Sequence, residues 1–138
     1  MNKVLTILKA GIICALIVFV MQSITFWLFP DKFQEYYKYQ SFFVALFKIG
    51  IINLVIYLIF SILIFNFFSH LSGNFISRSF TLMAFFVVFK TVPVSSNLFL
   101  STEINLSLAV IFVIMNVLSD VITSFVFMGM FTEMEKQN

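Results

Sequence analysis

Asp120 lies near the midpoint of a long apolar run, with Asn116 one helical turn before it and Thr123 one turn after. Spacings of three and four put such residues on one helical face, where an amide and a hydroxyl could hydrogen-bond the acid. A carboxylate buried among apolar side chains is costly unless a cation or several donors hold it charged. It can then carry a proton, coordinate a cation or knit helices together. Asn53, at the middle of a second apolar run, is placed to meet it. Lys90 is the evident countercharge. Its helical neighbours Met83 and Phe86 form an apolar face, however, about 100° from the stripe of small and polar residues on the same run. That placement predicts a Lys90 that snorkels to the membrane surface instead of pairing with Asp120, and Lys48 is expected to do the same.

No other constellation offers chemistry. His70 is the only histidine and Cys14 the only cysteine, so neither has a companion with which to ligate a metal or haem, and no intrachain disulfide can form. His70 falls in the polar turn Ser69-His70-Leu71-Ser72-Gly73-Asn74 and reads as a solvated loop residue; Cys14 reads as a small buried side chain. No hydroxyl or thiol has a histidine base at matching depth, and Asp120 has no second intramembrane acid. A phosphate-binding glycine loop is absent, as is any repeat of fixed period. These observations predict a non-enzymatic protein without cofactor or metal.

The elements that must position these residues are four apolar runs, at 4–29, 42–68, 75–92 and 104–131. The 138-residue chain is 62% hydrophobic and 10% charged, with a mean hydropathy of +1.10. Soluble domains carry about 25% charge. Each run can cross a bilayer, which takes roughly 20 apolar residues, and the runs lack the alternation of barrel strands. The expected fold is an all-α integral membrane protein, a single domain over residues 1–138 with four transmembrane helices in an antiparallel bundle and no soluble domain. The first run has Lys3 and Lys9 ahead of it, but it is too long for a signal-peptide core and ends in Phe26-Trp27-Leu28-Phe29, so it reads as a retained helix.

The third run admits two ends. Pro93 followed by Ser95, Ser96 and Asn97 favours a helix that stops near Val92, with Ser101 capping the fourth helix and Glu103 against its dipole. The alternative is a helix kinked at Pro93 and continuing to about Leu100, which would carry Lys90 to mid-membrane. Small and polar stripes predict the inward faces: Gly11, Ala15, Gln22 and Thr25; Gly50, Asn53, Tyr57 and Ser61; Ser77, Thr81, Ala84 and Thr91; Asn116, Asp120 and Thr123. With four glycines and no Gly-x-x-x-Gly pair, tight backbone contact is not expected to dominate. The 21 phenylalanines are expected to be mainly lipid-facing.

Trp27, Tyr36, Tyr37 and Tyr39 read as interfacial anchors. Four spans put both termini on one side. The cytoplasmic side of a cell (inner) membrane is favoured, because Lys3, Lys9, Arg78 and Lys136 then lie inside with Lys32 and Lys38 outside, although an outward Lys48 and Lys90 would cancel that excess. A net charge of +2, scattered along the chain, gives no surface for nucleic acid. The partners expected are the lipid bilayer and either another membrane protein or further copies of the chain. The sparse mid-membrane polarity points first to an accessory, immunity, exclusion or regulatory module that binds another membrane protein through its helices. The alternative is an oligomeric transporter or channel for a small solute or ion, with Asp120 as its intramembrane site.

Overall fold

A computed structural model describes residues 3–30, 42–100 and 106–136. All elements among them are helical: α1 (Lys3–Leu28), α2 (Phe42–Phe68), α3 (Phe75–Phe86), a π-helical turn (Val87–Thr91), α4 (Val92–Leu100) and α5 (Leu106–Lys136). Four helical spans are long and apolar enough to cross a membrane; the third is built from α3, the π turn and the start of α4. Ser101, the expected cap of the fourth helix, and Glu103, expected against its dipole, lie outside the described residues, as do Tyr36, Tyr37 and Tyr39.

The third span differs from expectation, because the helix does not stop at Pro93. A proline within a helix clashes with the carbonyl four residues earlier and removes one donor. The π turn just before it loosens the winding, so that Val92 N–H bonds to the carbonyl of Val87, five residues back. The helix then absorbs the proline and runs on to Leu100. The fourth span also extends past Phe131 to Lys136. Thr132 to Lys136 thus continue the helix as a last polar turn, where Arg78 reaches Glu135 at 3.4 Å. At the start of α3, Asn74 accepts from Ser77 N–H at 2.9 Å, and Gly73 supplies the left-handed turn at φ 102°.

The spans pack in the spatial order α2, α1, α5, α3, with the α1–α2, α1–α5 and α3–α5 pairs in close contact. Hydrogen bonds join Asn53 to Gln22 and Ser61 to the carbonyl of Ile7, so numbering rises along α2 as it falls along α1. α1 and α2 approach closely at Gly11, where an added Cβ would lie 3.0 Å from Leu58 Cδ2 and 3.1 Å from both Leu58 Cα and the Tyr57 carbonyl. Tight backbone contact therefore does occur, at this one crossing. No comparable packing joins α2 to the third span.

Two apolar clusters fill the interior. The larger is built on Ala10, Cys14, Val18, Tyr57, Leu82, Phe86, Phe127 and Phe131. The smaller joins Phe26 and Leu108 to Ile49 and Phe112. The phenylalanines accordingly divide: Phe26, Phe68, Phe86, Phe127 and Phe131 are buried, whereas Phe43, Phe47, Phe67 and Phe89 are exposed. The buried rings meet edge-on or tilted, as in Phe60–Phe86 and Phe68–Phe131, geometries that ring quadrupoles favour. An expectation of lipid-facing phenylalanine thus describes only part of the set.

Gly11→Val should separate α1 from α2 and cost about 1–3 kcal/mol through overpacking, read as a lower melting temperature in detergent. Gly129→Ala, where an added Cβ meets nothing within 4 Å, should leave that temperature unchanged or raise it.

Candidate functional site: a buried ion pair in a polar layer

Between the two apolar clusters lies a layer of polar side chains at mid-span. Its centre is an ion pair between Lys90 Nζ and Asp120 Oδ1. Asp120 is fully buried and the Lys90 side chain is 11% exposed. Thr91 Oγ1 donates to Asp120 Oδ2 at 2.5 Å, and Lys90 Nζ donates to the Tyr57 hydroxyl at 2.9 Å while lying 5.5 Å from the centre of that ring. Three elements, α2, the π turn and α5, therefore converge on one pair of charges.

The pairing corrects the expectation that Lys90 snorkels outward. The inward face of α3 is Ser79, Leu82 and Phe86, all buried, whereas Ser77, Thr81 and Ala84 are exposed. Lys90, one turn beyond Phe86, is consequently directed into the bundle. Thr91 joins it because of the π turn. Residues five apart in a regular α-helix point about 140° away from each other, yet Phe86 and Thr91 are both buried, and Ser95 follows one turn later. The widened turn lets two consecutive residues, Lys90 and Thr91, address the same carboxylate. The small-polar stripe predicted for the third span fails for the same reason, since only Thr91 among its members is buried. The stripes of the other spans do turn inward: Gly11, Ala15, Thr25, Asn53, Tyr57, Ser61, Asn116, Asp120 and Thr123 are buried, and Gln22 and Gly50 are half-buried.

The expected partners of Asp120 are rearranged. Asn53 donates to Gln22 Oε1 at 2.6 Å and does not reach the acid. Asn116 donates to the Phe112 carbonyl at 2.9 Å, and Thr123 to the Ser119 carbonyl at 2.8 Å, both within α5. The hydroxyl that holds Asp120 belongs to Thr91. Tyr57 and Thr91 were legible as members of inward stripes, but nothing in their spacing marked them as partners of this pair.

Beside the pair is a cavity of about 270 Å³. Gln22, Asn53, Lys90 and Asn116 supply its polar wall, with Phe26 and Phe112 among its apolar residues. Asp120 is not part of that wall and lies behind Lys90. The rim residues Ile52 and Val94 are 56% and 46% exposed, so the cavity opens sideways, between α2 and α4. On its other side the path through the bundle is closed by Tyr57, Phe86, Phe127 and Phe131, all fully buried.

Other sequence candidates lie apart. Trp27 is 78% exposed at the end of α1, where an interfacial ring belongs. His70 is exposed and shares a hydrogen bond with Ser69. Cys14 is buried and donates weakly to the Thr123 carbonyl at 3.8 Å. Lys48 is exposed on α2. Among the described residues no group of three or more His, Cys, Asp or Glu side chains could hold a metal. Comparison with protein-family models, curated proteins and solved structures finds no match.

Removing one member of a buried pair leaves the other charge uncompensated, at a typical cost of about 3–5 kcal/mol. Lys90→Met should therefore destabilise strongly, and Lys90→Met combined with Asp120→Asn should recover much of the loss. Denaturation of the three variants in detergent measures this, and strictly additive effects would show that the two side chains are not coupled.

Proposed function

We propose that this chain is a non-enzymatic integral membrane protein that binds a small solute or ion at the Lys90–Asp120 site, in the manner of a transporter. The observation that carries this reading is the juxtaposition of a buried ion pair with a cavity walled by amides from three helices. Intramembrane charges mark ligand or ion pathways more often than they serve as plain struts, and a largely apolar cavity with a few convergent polar groups is the usual form of a small-molecule site. The sequence alone favoured recognition of another membrane protein, on the ground that mid-membrane polarity is sparse. The buried pair and its cavity shift the preference.

The proposal places the four spans antiparallel in a cell's inner membrane with both termini cytoplasmic. The opposed numbering of the α1–α2 hydrogen bonds supports the first part. Lys3, Lys9, Arg78 and Lys136 at the cytoplasmic end, with Arg78 paired to Glu135, support the second. The same site serves a monomer or an oligomer.

Helix-mediated binding of a membrane-protein partner is the second reading, and one observation favours it. The buried rings of Tyr57, Phe86, Phe127 and Phe131 close half of the bundle, with no continuous path past them among the described residues. Gentle extraction of the tagged protein, followed by particle mass and composition, separates the two. A stoichiometric second protein supports the partner reading, and a homogeneous particle of this chain alone supports the solute reading. In liposomes containing the latter, Asp120→Asn should abolish solute-coupled or ion flux while the particle mass is unchanged; retained flux would remove Asp120 from the transport site.

A further inference from the structure

The cavity beside the ion pair has a chemistry more specific than that of a general polar pocket. Its exposed rim, Ile52 and Val94, lies on the lateral surface of α2 and α4, so a ligand reaches it from the hydrocarbon layer and not along the bundle axis. Such a ligand must be soluble in lipid when it arrives. Inside, Phe26 and Phe112 stand edge-to-face with centroids 6.4 Å apart, among the side chains of Val18, Ile49 and Ile56. These suit a flat apolar body. The charged group a ligand can touch is Lys90; an ammonium has three protons, of which one points to Asp120 and one to the Tyr57 hydroxyl. A third is left for an acceptor in the cavity. Asp120 itself is screened behind Lys90, so a cation entering the cavity meets a like charge first.

The charge balance then selects the acceptor. Lys90 and Asp120 cancel, and a bare anion brought alongside would leave one uncompensated negative charge where water is scarce, at a large penalty. A carboxylic acid avoids this by arriving neutral. Resting on the reading of this pair as a ligand site, we infer that the cavity binds a small aromatic or similarly compact carboxylic acid entering from the bilayer, which gives its proton to Asp120 and is held as the carboxylate by Lys90. Because Lys90 stands between the cavity and Asp120, the proton passes through it: an N–H bond of Lys90 breaks as an O–H bond forms on the Asp120 carboxylate, and the O–H bond of the ligand acid breaks as the N–H bond of Lys90 is restored. The site is neutral overall before and after. The Lys90 ammonium exchanges one carboxylate partner for another, and Thr91 and Tyr57 keep the neutral aspartic acid and the lysine in place. The titratable groups facing Asp120 are Lys90 from the π turn and Tyr57 from α2, with Cys14 of α1 close by against the Thr123 carbonyl.

Benzoate and its neutral isostere benzamide test this on the intact protein in nanodiscs, by calorimetry in buffers of different ionisation enthalpy, with empty nanodiscs subtracted. Benzoate taken from solution should bind with uptake of one proton, its affinity rising about tenfold per unit fall in pH between roughly pH 6 and 8. Infrared difference spectra should gain a protonated-acid carbonyl band on binding. Asp120→Asn should bind benzoate without proton uptake and without that band. Lys90→Met should lose at least about tenfold in affinity, as expected for a charged hydrogen-bond partner. Should a variant fail to fold, the wild-type proton count and carbonyl band decide alone. Benzamide binding with no benzoate binding would overturn the acid inference while leaving the cavity as a ligand site. Benzoate binding without proton uptake by the wild type, or no binding of either compound, would also overturn it, whereas failure of the site reading itself would appear separately as flux retained in Asp120→Asn.

Discussion

An ammonium and a carboxylate taken out of water each carry a desolvation penalty of several kcal/mol, repaid only if they face one another with their remaining valences filled. In this chain that requirement falls on Lys90 and Asp120, and much of the surrounding architecture follows from it. The two charges come from different spans, so the third and fourth spans must be adjacent, and α3 does pack against α5. Thr91 takes the second carboxylate oxygen, and the Tyr57 hydroxyl takes one proton of the ammonium. The amides of Gln22, Asn53 and Asn116 lie in the same layer. The apolar clusters are thereby split in two, one on each side of that layer.

The π turn is the local device that makes the pairing geometry available. By absorbing one additional residue it brings Thr91 onto the face already occupied by Phe86, next to Lys90, and it relieves the backbone at Pro93. One feature thus resolves a steric problem and an electrostatic one. The loose contact between α2 and the third span has a corresponding consequence. α1 and α2 close on one another at Gly11, whereas α2 and α4 leave a cavity beside the charged pair.

The existence of the four spans, and the approximate limits of the first two, were legible in the sequence because a run of apolar residues long enough to cross a bilayer has few alternatives. The inward faces of the first, second and fourth spans were legible as well, from Gly11 and Ala15, from Asn53 and Ser61, and from Asn116 and Asp120. The third span was not. Its exposed residues Ser77, Thr81 and Ala84 are small and polar enough to mimic an inward stripe, whereas its true inward face contains Leu82 and Phe86 and resembles a lipid-facing one. A π turn leaves no periodic signature, since a single extra residue changes the phase of everything after it. Pro93 pointed to a helix end, when what it marked was the site of that phase change. The spacing of residues consequently hides the ion pair, although both of its members stand out as mid-span charges.

If Lys90 and Asp120 face one another as a pair inside the bundle, the carboxyl group of Asp120 must sense the loss of the ammonium. Asp31 and Asp120 are the only aspartates, so an Asp31→Asn background labelled with carboxyl-¹³C aspartate isolates the Asp120 signal in an infrared spectrum. The pairing predicts that the Asp120 carboxyl signal shifts when Lys90 is changed to Met. An Asp120 signal left unchanged by the removal of Lys90 would contradict it.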